Sequence, residues 1–114
     1  MEYGGFTYIL TNGAHTVLYV GVTSNLVRRI EEHKRSAVPG FTAKYNVRKL
    51  VYYERYERIE DAIVREKQIK GKTRGKKAAL ITALNPRWNE ITCKWDPSLR
   101  SSMTILLRIF RTNT

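Results

Sequence analysis

Cysteine occurs once in 114 residues, at Cys93, so the chain can close no internal disulfide, and no Cys/His cluster offers a structural zinc site. Cytoplasmic residence is the expectation. No apolar run approaches the ~20 residues that a bilayer helix needs. The opening Met1-Glu2-Tyr3-Gly4-Gly5 lacks a basic stretch followed by an apolar one, so it does not read as a signal peptide. Neither an internal repeat nor a low-complexity segment is present. Acidic residues are scarce: 10 Asp and Glu stand against 21 Lys and Arg, a formal net charge of +11. Such a balance points to a polyanionic partner, nucleic acid first, with a merely solvated basic surface as the alternative.

What is present fits one globular domain. The length suits a single core, and 42% hydrophobic with 27% charged residues argues against wholesale disorder. Phe6 to Leu10 and Thr16 to Val20 are β-rich runs flanking an Asn12-Gly13 turn signal, and they predict an antiparallel hairpin. Period-2 counting puts Phe6, Tyr8 and Leu10 on one face and pairs Val17 with Tyr19, so the two tyrosines can point the same way. Gly21 is expected to end the second strand. Thr23, Ser24 and Asn25 can cap a helix over Leu26 to Arg35, stopped by Pro39 and Gly40.

The stretch from Phe41 to Lys49 is expected to be loop, and Leu50 to Glu54 a third strand. Helical spacing covers Ile59 to Lys70, with Ala62, Ile63 and Ile69 as its apolar stripe. A further helix is expected from Lys76 to Leu84, ending at Asn85 because Pro86 disfavours helical geometry before it. The fold class is therefore α+β: a small three-stranded antiparallel sheet flanked by helices. Residues 98–114, with an apolar stretch from Met103 to Phe110, read as a C-terminal helix or tail beyond a domain at 1–97.

Glu66 is out of place on that stripe, since its neighbours at i−4, i−3 and i+3 are Ala62, Ile63 and Ile69. A buried carboxylate needs a partner, and a nearby Lys or Arg or a divalent metal would each serve. Arg29 and His33, four apart, project from one side of the first helix and can reach one ligand or form a solvated edge. His15, in the hairpin loop, reads as an exposed turn residue. Between positions 65 and 77 seven basic residues, Arg65, Lys67, Lys70, Lys72, Arg74, Lys76 and Lys77, face a single acid. The part of this run from Lys67 to Lys77, together with Lys34, Arg35, Lys44, Arg48 and Lys49, is the candidate to grip a nucleic-acid backbone.

Phe6-Thr7-Tyr8, Tyr19-Val20-Gly21, Arg29, His33 and Glu66 at these spacings resemble the GIY-YIG nuclease family, which includes excision-repair and homing endonucleases. The run Thr73-Arg74-Gly75-Lys76-Lys77 behind the glutamate helix is similar to the small stand-alone bacterial branch. The likeness spans about Phe6 to Asn85; the first triplet departs from Gly-Ile-Tyr but keeps its tyrosine. It implies a DNA endonuclease of repair or recombination using one Mg²⁺ or Mn²⁺. In that reading Glu66 is the metal ligand, Tyr8 or Tyr19 the base, Arg29 the phosphate clamp, and His33 a proton relay or phosphate contact. Asn85 would orient Glu66 or the metal's waters. A binding module on the same fold with little or no cleavage is the alternative, and a toxin-like or restriction nuclease a third, disfavoured reading.

Overall fold

The computed structural model describes residues 4–35 and 40–91, apart from the side chains of Phe41 and Thr42. The expected extension at 98–114 and the helix stop at Pro39 lie outside the described residues. β1 (Gly5–Thr11) is buried along its whole length. A hairpin strand with one wet face would alternate, so this strand must be covered on both sides, and the sheet order β2-β1-β3 puts it in the middle. Its polar members are satisfied: the Thr7 hydroxyl donates to the Ala62 carbonyl at 2.8 Å, and that of Thr11 to the Val17 carbonyl at 2.8 Å.

β2 (Leu18–Thr23) and β3 (Lys49–Tyr56) both pair antiparallel with β1. The hairpin connection differs from the expected tight Asn-Gly turn. Asn12 Oδ1 accepts from the backbone N–H of Thr16 (2.8 Å) and Val17 (3.0 Å), so those two residues are tied into the loop and β2 starts later, at Leu18. The strand also runs past Gly21, which stands directly opposite Tyr8, and ends at Thr23.

α1 (Leu26–Lys34) begins at Asn25, whose side chain accepts from the Arg28 N–H, and buries Leu26, Val27, Ile30 and His33. These apolar side chains meet Phe6, Tyr8, Leu10, Leu50 and Tyr53 in one core. The other face of the sheet offers Ile9, Val20, Val51 and Tyr52 to Ile69 of α3 (Ile59–Lys70) and Ile81 of α4 (Arg74–Leu84). α2 (Phe41–Lys44) is a single helical turn where loop was expected. α4 starts two residues before Lys76, because the Thr73 hydroxyl caps it by accepting from the Lys76 N–H at 3.2 Å. The architecture is the expected three-stranded antiparallel sheet, sandwiched between helices.

On α3 the buried set is Ala62, Glu66 and Ile69, at i, i+4 and i+7. Ile63, which the sequence pattern placed on the stripe, is 37% exposed instead. One step of 100° beyond Ala62 carries Ile63 past the sheet contact, whereas i+4 brings Glu66 back onto it. Glu54 fixes the rotation of this helix. Its carboxylate takes Arg65 Nε at 2.9 Å and Nη2 at 3.2 Å, with the hydroxyls of Tyr52 and Tyr56 as further donors. Burial pushes the Glu54 carboxyl up, but Arg65 and the two tyrosines outweigh it and hold it below the ordinary carboxylate range. Arg65 immediately precedes Glu66, so this clamp between β3 and α3 also sets where Glu66 points.

Candidate active site

Cross-strand pairing puts Tyr8 opposite Gly21 and Leu10 opposite Tyr19, so both tyrosines lie on the α1 side of the sheet. Their ring centroids are 6.4 Å apart, and the His33 imidazole lies 6.1 Å from Tyr8 and 5.7 Å from Tyr19. The Tyr8 hydroxyl is 3.3 Å from His33 Nε2. Glycine at position 21 makes this approach possible. A Cβ there would stand 2.5 Å from Tyr8 Cζ and Oη and 3.0 Å from Tyr19 Cε2, closer than any ordinary contact.

Tyr8 is 2% exposed. Burial pushes its phenol well above the ordinary value of about 10, and Tyr19, Glu32 and Glu66 add to the rise, while Arg29 offsets only part of it. Burial thus keeps the Tyr8 phenol protonated near neutral pH. Burial and then Arg29 push the His33 imidazole below its ordinary value, which leaves it neutral near pH 7. A neutral imidazole with Nε2 free of hydrogen can accept a hydrogen bond from the Tyr8 hydroxyl at this distance.

Arg29 and Glu66 come from α1 and α3, yet both act electrostatically on the Tyr8 phenol. Arg29 is half-exposed and pairs with Glu32 at 3.6 Å. Glu66 is 9% exposed, and its carboxylate is held by Lys70 Nζ at 2.5 Å. Of the six expected site residues, Tyr8, Tyr19 and His33 are thus in contact, while Arg29 and Glu66 act on the phenol electrostatically from α1 and α3. Asn85 does not join them. Its amide donates to the Val51 and Asn89 carbonyls at 3.0 and 2.9 Å, and its Oδ1 accepts from the Asn89 N–H at 3.1 Å. The side chain that was expected to orient Glu66 instead straps the end of α4 to β3.

Among the described residues no group of three or more His, Cys, Asp or Glu could hold a metal ion alone. Glu66 supplies one hard carboxylate, which suits Mg²⁺ or Mn²⁺ only where waters and substrate phosphate oxygens complete the shell.

Most of the expected backbone-gripping cations fall into two places. Lys67, Lys70, Lys72, Arg74, Lys76 and Lys77 surround the turn from α3 to α4; Arg74 donates to the His15 carbonyl at 2.8 Å, and Lys70 belongs to Glu66. Lys34, Arg48 and Lys49 line a pocket at the hairpin end. Arg35 pairs with Glu31 at 3.9 Å, and exposed Lys44 lies over the Tyr45 ring. His15 is not the exposed turn residue expected. Half-buried, it adopts φ 60°, lies against the Trp88 ring at 5.1 Å and sits 2.9 Å from Lys49 Nζ. Sequence reasoning also passed over Gly21 as a spacer and Glu54 as a clamp. Gly21 carried a signal in its position beside Tyr19, whereas Glu54 carried none, since its partners are 11 residues away or come from alternate positions of its own strand.

The chain is similar to proteins of bacteria and archaea that share one name. It is 33% identical over 77 residues to a UPF0213 protein of Pediococcus pentosaceus, covering 68% of this chain and 81% of that one. With a UPF0213 protein of Natronomonas pharaonis it shares 34% over 76 residues, 67% of this chain and 88% of the other. A solution NMR structure of a UPF0213 protein from Bacillus halodurans superposes with a TM-score of 0.45 at 26% identity, over 69% of this chain and 83% of that one. The family model of the GIY-YIG catalytic domain matches residues 4–78, which hold both tyrosines, Arg29, His33 and Glu66, and the chain belongs to that family.

Proposed function

We propose that this protein is a divalent-metal-dependent nuclease that hydrolyses DNA phosphodiester bonds, in a cytoplasmic repair or recombination setting. One observation carries the reading: a buried tyrosine hydroxyl held on a neutral imidazole, with a guanidinium and a buried carboxylate from two different helices acting on the same phenol. A folding core has no need to bring a phenol, an imidazole, an arginine and a glutamate within electrostatic range of one another. Phosphoryl transfer needs all four kinds of group.

Glu66 is the residue that would hold Mg²⁺ or Mn²⁺, once Lys70 gives up the carboxylate. When bound, the metal supplies Lewis acidity at the scissile phosphate and offsets charge on the leaving oxygen. Tyr8 gives its hydroxyl proton to His33 Nε2 as its oxygen takes one from the attacking water, so the phenol need never exist as a free phenolate in a buried place. Tyr19 lies on the same face, its ring centroid 6.4 Å from that of Tyr8. Arg29, permanently charged and planar, sits where it can take the negative charge that builds on the phosphate.

Nicking of supercoiled, branched and single-stranded DNA with Mg²⁺ or Mn²⁺, beside Glu66→Gln, tests the assignment. Metal-dependent nicking by the wild type that is lost in the variant is expected; equal nicking by both would remove Glu66 from the chemistry. A second reading, a DNA-binding module with little turnover, is favoured by one observation, the Lys70 ammonium already seated on the Glu66 carboxylate. Tight binding with no cleavage of any of the three substrates would select it.

A further inference from the structure

Among the described residues His15, Asn46 and Trp88 hold a positive φ without being glycine, at 60°, 60° and 55°. Asparagine and histidine tolerate that conformation, whereas a bulky indole is an outlier there. The two rings of this set stand against each other, their centroids 5.1 Å apart and their planes 33° from parallel. Both backbones are fastened in place. The His15 N–H donates to the Asn12 carbonyl at 3.0 Å and the Trp88 N–H to the Asn85 carbonyl at 2.9 Å, while Trp88 Nε1 donates to Thr82 Oγ1 at 3.1 Å. Glycine at either position would relieve the backbone, so holding two rings here works against local preference. Core packing accounts for the indole, which lies on the cluster that contains Val20 and Ile81. It does not account for the imidazole, half-buried between exposed Ala14 and Thr16 on the outer side of that indole.

Two cations flank the stack. Lys49 Nζ lies 2.9 Å from His15 Nε2, and Arg74 Nη2 donates to the His15 carbonyl at 2.8 Å. The first contact runs in the plane of the imidazole, so it occupies the ring's edge and not its faces. Each cation has further N–H groups beyond the one given to His15. A π face with cations at its rim suits a nucleobase and the phosphate joined to it. Location narrows the ligand. Trp88 packs on the α3 and α4 side of the sheet, whereas Tyr8 and Tyr19 lie on the α1 side, so a nucleic acid that reaches both must turn around the hairpin end. Duplex DNA, with a persistence length of about 50 nm, resists such a turn, and its bases are already stacked on one another. A single strand bends freely and offers its bases.

We infer that the His15–Trp88 stack is a platform for a nucleobase of single-stranded DNA, with Lys49 and Arg74 taking the adjoining phosphates. The inference rests on the nucleic-acid substrate of the nuclease reading and is independent of cleavage. His15 carries the outer face on which the base lies, and Trp88 backs it and fixes its tilt. The substrate class that follows is DNA with an unpaired strand, such as a flap or a branch, whose single-stranded arm rounds the hairpin end while the junction sits at the tyrosines.

Fluorescence anisotropy of labelled oligo-dT and of a dumbbell duplex closed at both ends, in EDTA and across a KCl series, tests this without any cutting. His15→Gly keeps the positive φ free of strain and removes only the ring. It is expected to weaken oligo-dT binding about tenfold, within the range for loss of one base stack, with the salt slope and the dumbbell affinity unchanged. Lys49→Gln is expected to flatten the oligo-dT slope by about 0.7, the value for one phosphate contact on a single strand. Oligo-dT binding by His15→Gly at the wild-type level, or an equal loss on both DNAs, would overturn the platform. So would a wild type that binds the dumbbell and not oligo-dT. Thermal melting beside each titration separates loss of the ring from loss of the fold, and if Lys49→Gln melts early, His15→Gly in its exposed loop still decides. A wild type that binds neither DNA at low salt would overturn the DNA reading itself.

Discussion

Gly21→Ala separates the stability of this fold from its chemistry. The added Cβ would lie 2.5 Å from Cζ and Oη of Tyr8, about 1 Å inside normal contact. Backbone does not block it. The obstructing atoms are the far end of a side chain that can swing, so Tyr8 gives way and its hydroxyl leaves the 3.3 Å approach to His33. Overpacking of this kind costs about 1–3 kcal/mol, and loss of glycine's freedom in the unfolded chain returns roughly 0.4–1. The net is about 1–2 kcal/mol, a fall in Tm of very roughly 4–16 °C at ~4–8 °C per kcal/mol for a domain near this size. Activity should suffer more. A displacement of ~1 Å at a reacting group costs about 10²-fold in rate, or ~2.7 kcal/mol of barrier. Single-turnover nicking of supercoiled plasmid with Mn²⁺, beside thermal melting, reads both quantities. A double-mutant cycle with Tyr8→Phe sharpens the result: once the hydroxyl is gone, adding Gly21→Ala should lower the rate little further. Rate losses that multiply, or a folded Gly21→Ala protein that cuts like the wild type, would refute the placing of the Tyr8 hydroxyl in the reaction.

Three further outcomes are expected. Lys70→Gln, which removes the ammonium 2.5 Å from the Glu66 carboxylate, should strengthen Mn²⁺ binding measured by electron paramagnetic resonance, and an unchanged affinity would mean that Lys70 does not compete there. His33 has a folded pKa below its unfolded value of about 6.5, so between the two the unfolded chain binds a proton that the folded one does not. Stability should then decline as pH falls through about 6.5 and level off below the folded pKa. His15, shifted the same way by burial and Lys49, should leave part of that slope in His33→Gln; thermal melts from pH 7.5 to 5 that coincide for variant and wild type would contradict the assignment. Asn85→Ala removes three bonds to backbone at a 2% exposed site and should cost about 2–4 kcal/mol by denaturant unfolding, while the rate per folded molecule changes little. A stable Asn85→Ala protein with a collapsed rate would return the residue to the chemistry.

Local chemistry made much of this molecule legible before any coordinates. Ile59–Lys70 ran as one helix with the bounds its apolar spacing gave, and Asn25 capped α1 from its place before Leu26. Those features depend on neighbours within one turn or one strand, which is the range that a sequence exposes. The alternation of Phe6, Tyr8 and Leu10 likewise set which side chains share a face, so the pairing of Tyr8 with Tyr19 needed only an antiparallel hairpin. Ile63 was misplaced because 100° of helix rotation is finer than a pattern of apolar letters, and the start of β2 because Asn12 took two backbone donors for itself.

By itself the sequence determined the fold class, the basic character and the shared face of Tyr8 and Tyr19, because spacing along helices and strands is a local property. Only the tertiary structure decided the chemical states of Tyr8 and His33. Burial in the α1 core raised the Tyr8 phenol and lowered the His33 imidazole. Distant contacts turned Asn85 into a strap, brought Lys70 onto Glu66, and drew Lys34, Arg48, Lys49 and Glu90 to one pocket. A side chain's pKa and its partners depend on what the rest of the chain brings near it, and that is settled by packing.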